Sequence, residues 1–158
     1  MNEKIIFEKL PTTVEDLKTY ELNTPFQTAA LTVASLDVYS KNKDMGIEML
    51  NYLKGPVALS NYELSFLKDR FMGKDYVPRS YFEGSTPDNN YTPSIPYSIT
   101  VTDNAYSYSE EGYAKLYVQS SGADSARPIK LRAKDNVWYL WEQMILSDIR
   151  KPAKDNVW

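Results

Sequence analysis

The chain has 158 residues, a formal net charge of −3, and neither histidine nor cysteine. That excludes an imidazole base poised near neutral pH, Ser-His-Asp and Cys-His nucleophiles, His/Cys zinc and iron–sulfur centres, and disulfides. Carboxylates, Lys, Tyr, Ser/Thr and Arg remain, and a chain of about this length buries ~68–70% of its unfolded surface without covalent staples.

One domain over residues 1–158 is therefore expected. The apolar runs are too short to span a bilayer. Met1–Phe7 runs straight into Glu8 and Lys9, without the apolar stretch of a signal peptide. The expectation is a cytoplasmic protein that makes no membrane contact.

The first half is punctuated by helix starts. Thr12-x-x-Glu15 spells a cap for a short helix reaching about Tyr20. Thr24-Pro25-Phe26-Gln27 combines an N-cap, proline at the first helical position and glutamine at the third. Phe26, Ala29, Ala30, Val33 and Leu36 then recur at helical spacing, and this helix is expected to end near Tyr39. A third helix is expected over about Asp44–Lys54, stopped by Gly55-Pro56. Ser60-x-x-Glu63 is a capping box, with Leu59 and Leu64 placed as a hydrophobic staple, and Gly73 closes that fourth helix.

Residues 74–96 have neither helical nor strand period and hold four of the nine prolines. A loop this long inside a compact domain is usually functional or disordered. Disorder disfavours aromatics, and Tyr76, Tyr81, Phe82 and Tyr91 all lie here, so an ordered crossover is expected. From residue 97 the period changes to two. Tyr97–Thr102, Ala114–Val118 and Ile129–Arg132 alternate, and Lys134-Asp135-Asn136 is a hairpin turn signal leading to Val137–Trp141. The fold class is α+β: about four helices over residues 12–73 packed on an antiparallel sheet of about four strands over 97–146, with a tail at 147–158.

Residues 127–158 carry seven Lys/Arg against four Asp/Glu, while the rest of the chain is net negative. Nucleic-acid-binding domains are usually far more basic, so this excess reads as a solvated strand face and nucleic acid is not the expected partner. Ala133–Trp138 recurs verbatim as Ala153–Trp158. Two copies are too few for a repeat architecture; the second is either a coincidence or a tail segment that pairs at a sheet edge.

Asp75-Tyr76-Val77-Pro78-Arg79-Ser80-Tyr81-Phe82-Glu83-Gly84, followed by Thr86-Pro87 and Asn89-Asn90-Tyr91-Thr92-Pro93, resembles a bacterial family of uncharacterised free-standing domains. Thr24–Val33 and Ile47–Asn51 are similar to its helical half, and Glu111–Leu116 and Gly122–Ser125 to its sheet half. The resemblance covers roughly residues 10–152. It implies no known activity, and no catalytic residue is carried over from it.

Catalytic spellings are weak. Ser65-x-x-Lys68 lacks the partner boxes of Ser-Lys acyl enzymes. Gly73-Lys74 lacks the upstream glycine of a phosphate loop. Asp88-Asn89-Asn90 lacks the glycine and distal glutamate of a calcium loop. Glu110 and Glu111 would point apart if on a strand, so the pair reads as a solvated turn and not as an acid/base pair. Asp37 sits beside an apolar helical stripe, where a buried carboxylate needs a partner. Trp138 and Trp141 read as core anchors or as a stacking surface.

The expectation is a non-catalytic binding module without cofactor or metal, taking a protein or a small polar ligand on residues 75–97. Its expected contacts are Arg79, Tyr81, Glu83, Asp88, Asn90 and Tyr91, where tyrosine rings supply rigid area and the polar groups supply direction. The alternative is a hydrolase-type enzyme using carboxylates, Tyr or Lys on a polar or sugar substrate.

Overall fold

Local chemistry sets the helix starts. In the computed structural model, which describes residues 1–155, helix α2 (Pro25–Lys41) begins where the Thr24 hydroxyl accepts from Gln27 N. Helix α4 (Asn61–Phe71) carries both halves of the Ser60/Glu63 capping box. Helix α3 (Lys43–Lys54) starts at Asn42 and ends at Gly55, which takes φ 66. The short helix α1 (Val14–Leu17) is capped by Thr13, one residue later than the sequence suggests. Asp16 decides this: its N–H donates to the Thr13 hydroxyl, and its carboxylate accepts from Thr12 N at 2.9 Å.

The sheet has five strands in the order β1-β2-β3-β4-β5, every neighbour antiparallel. They are β1 (Asn2–Phe7), β2 (Tyr97–Thr102), β3 (Tyr113–Val118), β4 (Arg127–Lys134) and β5 (Val137–Gln143). The expected four strands thus need correcting to five. The additional one is β1, which pairs with β2 across the whole helical half. Ile5 and Phe7 face the core while Ile6 faces out, a period-two pattern too short to stand out beside Glu8 and Lys9. The β4–β5 turn is the two-residue loop Asp135-Asn136, with φ 54 and 64. That left-handed pair matches the strand twist, and Asp and Asn tolerate it better than most residues.

Helix α2 lies across one sheet face and meets all five strands, with α3 packed against it. It is buried from Phe26 to Tyr39 except at Gln27. Its interior hydroxyls are satisfied within the helix: Thr32 donates to Thr28 O and Ser35 to Leu31 O. Thr28 instead reaches the sheet, donating to Trp138 O at 2.7 Å. Helix α4 is attached more lightly, burying only Leu67 and Phe71, the latter ring 4.6 Å from that of Tyr39.

Strands β2 and β3 pair over only two positions, Val101↔Val118 and Thr102↔Tyr117. The crossover fills the split between them. Glu83 N donates to Ser98 O, and Ser121 N donates to Ser80 O, so residues 80–83 bridge β2 and the segment that follows β3. No helix among the described residues is long and apolar enough to cross a membrane. Of the repeated hexapeptide, Ala153–Asp155 forms a 3-10 turn, and Asn156–Trp158 lie outside the described residues.

Candidate functional site

The crossover residues expected to form a contact patch are not brought together as one. Tyr81 and Tyr91 are buried, at 3% and 0% exposure. The Tyr76 hydroxyl donates to Ile149 O, that of Tyr81 to Ile145 O and that of Tyr91 to Arg150 O. Tyr76 and Tyr91 also stack, with ring centroids 5.5 Å apart. Burial removes Tyr81 and Tyr91 from any surface patch; their physical role is to moor the segment after β5. A phenol is suited to this, because it adds apolar area to the core and one donor for an otherwise orphaned carbonyl.

Arg79 is a clamp. Its Nε donates to Tyr91 O at 3.2 Å and its Nη2 to Asn90 O at 3.1 Å. Both acceptor residues are left-handed, with φ 60 at Asn90 and 51 at Tyr91. A bulky residue there carries local strain of ~1–2 kcal/mol, which the surrounding bonds must hold. Arg79→Ala is expected to destabilise the fold by about 1.5–3 kcal/mol, the range for hydrogen bonds to charged groups. An unchanged urea midpoint would show that the loop holds its shape without the clamp.

Glu83 lies on the outer sheet face, where its carboxylate accepts from Thr100 Oγ1 at 2.8 Å and Ser98 Oγ at 3.2 Å and pairs with Lys4 Nζ at 3.0 Å. The Thr100 bond, then that of Lys4, holds its carboxyl below the ordinary glutamate value. Asp88 is exposed in the 3-10 turn Pro87–Asn89, away from that cluster of bonds. Asp37 is buried, with Oδ2 3.1 Å from Lys41 Nζ and Oδ1 without a partner among the described residues.

An apolar-lined concavity lies elsewhere, between α4 and the edge strand β5. It is a cleft of about 380 Å³ floored by Leu36, Leu50, Leu67 and Leu140. Tyr62 and Phe66 of α4 form one wall and Trp141 the other. Tyr62 is 78% exposed, because α4 docks only by its far end. Sequence reasoning missed the site: its walls come from four elements, and only the staple residue Leu59 and the question over Trp141 pointed toward it.

An ion pair between a buried lysine and a half-buried glutamate sits inside. Lys54 Nζ is 3.1 Å from Glu63 Oε2 and donates to Trp141 O at 2.9 Å. Burying an ammonium is costly unless its donors are matched, and here a carboxylate and a carbonyl match two of three. Burial pushes the Glu63 carboxyl up, but the Ser60 N–H and Lys54 outweigh it and hold it below the ordinary value.

Trp141 is positioned by a β-bulge. Lys130 pairs with Glu142 while Leu131 pairs with Leu140, leaving Trp141 as the extra residue. Its ring meets Tyr113 edge-on at 5.7 Å, and the Arg132 guanidinium lies 5.1 Å from the Trp141 ring centre. The outer edge of β5 is blunted against strand addition. Trp138 N donates to Leu22 O, Thr28 covers Trp138 O, and Lys54 covers Trp141 O.

The family model described as Domain of unknown function (DUF6935) matches residues 9–153. The chain belongs to this family. No curated protein matches it, and no solved structure does.

Proposed function

We propose that this member of the family is a non-catalytic binding module whose ligand places an apolar body in the α4–β5 cleft. The exposed ring of Tyr62 and the half-buried ring of Phe66, facing Trp141 across a leucine floor, carry this reading. Apolar walls with a few placed polar groups are the usual composition of a ligand pocket.

The alternative, a hydrolase-type enzyme, has Glu63 and Glu142 on the cleft walls to draw on. A general acid or base works best with a pKa near the operating pH. Glu63 is moved the other way and paired to Lys54, which suits a structural counter-ion better than a proton carrier.

Methyl NMR tests the reading, with 1-octanol as a neutral apolar probe. Shifts are expected at the methyls of Leu36, Leu50, Leu67 and Leu140, with saturation. Val57→Trp, at a half-exposed position on the cleft wall, is expected to fill the entrance and abolish them. Absence of saturable shifts at these four leucines, or shifts unaffected by Val57→Trp, would overturn the reading.

A further inference from the structure

A second cavity, of about 270 Å³, adjoins the cleft and shares Lys54, Val57, Leu140 and Trp141 with it. Its charge is one-sided. Lys54, Arg132 and Lys134 all line it, and no carboxylate does. Glu63 compensates Lys54 from the cleft side, whereas Arg132 and Lys134 pair with no carboxylate among the described residues.

The placement of these groups follows from register. Arg132 and Lys134 alternate outward on β4 beside the β4–β5 hairpin, and Arg132 sits opposite Tyr139. The bulge turns the Trp141 ring onto the same outer face, within reach of the Arg132 guanidinium. An arginine held against an indole is partly pre-oriented, so less side-chain freedom is lost when it binds an anion. Glu142, the neighbouring acid on β5, lies opposite Lys130 and borders the cleft, not this cavity.

Resting on the apolar-cleft reading, we propose that this cavity is an anion subsite and that the ligand is an amphiphile with a single carboxylate or phosphate head. The apolar body lies among the leucines and rings of the cleft. The head passes Lys54 and Val57 and is received by Arg132 and Lys134. Charge-assisted hydrogen bonds to a carboxylate or phosphate are about twice as strong as neutral ones, and two uncompensated cations beside apolar walls favour such a head over a hydroxyl.

The test titrates sodium octanoate, octyl phosphate and 1-octanol, read by calorimetry and by the same leucine methyls. At low salt, at least one of the two anions is expected to bind ~10-fold or more tightly than 1-octanol, as one charge-assisted contact allows. The tighter anion identifies the head group. Added salt is expected to erode that advantage. In the Arg132→Gln/Lys134→Gln double variant, with folding checked by thermal melting, the anion-to-alcohol ratio is expected to fall to about one. Equal binding of all three probes by the parent protein would overturn the anion subsite and leave the cleft reading standing. A ratio that persists in the folded double variant would overturn it as well. Binding of none of the three would remove both readings.

Discussion

Replacing Gly46 by alanine is expected to destabilise the protein by about 3 kcal/mol, near the upper end of typical overpacking penalties. Helix propensity predicts the opposite sign, since alanine is favoured over glycine in a helix interior by ~1 kcal/mol. The structure reverses it. A Cβ on Gly46 would stand 2.6 Å from Tyr39 N and 2.5 Å from Tyr39 Cβ. Those atoms belong to the backbone and root of α2, so no distal rotamer change relieves the overlap. Helices α2 and α3 would have to separate, and α2 carries the contacts to all five strands. Urea unfolding is the measurement. A variant as stable as the parent would mean that the two helices do not approach this closely.

The second large effect is alkaline unfolding. Burial is the leading cause that raises the hydroxyl pKa of Tyr20, Tyr39, Tyr76, Tyr81, Tyr91 and Tyr108. Tyr81 is raised furthest, with Arg127 opposing weakly. For a phenol, a raised folded-state value means that the unfolded chain loses its proton first. The associated stability is intact below about pH 10 and falls as pH climbs toward the folded-state value. Tyr81 alone removes ~1.4 kcal/mol per pH unit in that window. Phenolate absorbance and far-UV circular dichroism followed together should show a late group of tyrosines titrating in step with loss of structure. Tyr81→Phe should make the alkaline loss shallower while costing about 1–3 kcal/mol at neutral pH, because Ile145 O loses its donor. If all thirteen tyrosines titrated near pH 10 with the fold intact, the mooring of residues 145–150 by phenols would be wrong.

The burial of Tyr81 and Tyr91 in the crossover is a tertiary outcome that composition does not show. A run of Tyr, Pro, Arg and Asn has the same composition whether its rings face water or the core. What separates the two cases is the supply of unpaired carbonyls elsewhere, and those belong to Ile145, Ile149 and Arg150. Arg79 shows the same ambiguity: a charged donor between tyrosines reads as a ligand contact, yet its acceptors are main-chain oxygens eleven and twelve residues on. The α4–β5 cleft was hidden differently, since it exists only once Lys54, Glu63 and Trp141 converge.

The repeated hexapeptide separates local from tertiary control most directly. Ala133 and Lys134 are strand residues leading into a left-handed Asp135-Asn136 turn, whereas Ala153, Lys154 and Asp155 form a 3-10 turn. The same residues adopt different backbones because Ala133 and Lys134 have β5 partners at Trp138 and Val137. By itself the sequence determined what is decided within four residues: the caps at Thr24 and Ser60, the stop at Gly55, the turn signal before β5 and the alternation of β2, β3 and β4. Those signals are legible because hydrogen bonds from i to i+3 or i+4 need only residue type and spacing. The pairing of β1 with β2, the glycine contact between α2 and α3, the three phenol moorings and both cavities were decided by the tertiary structure alone. Each depends on groups from distant segments meeting in space, and the core packing that brings them together leaves no fixed spacing in the chain.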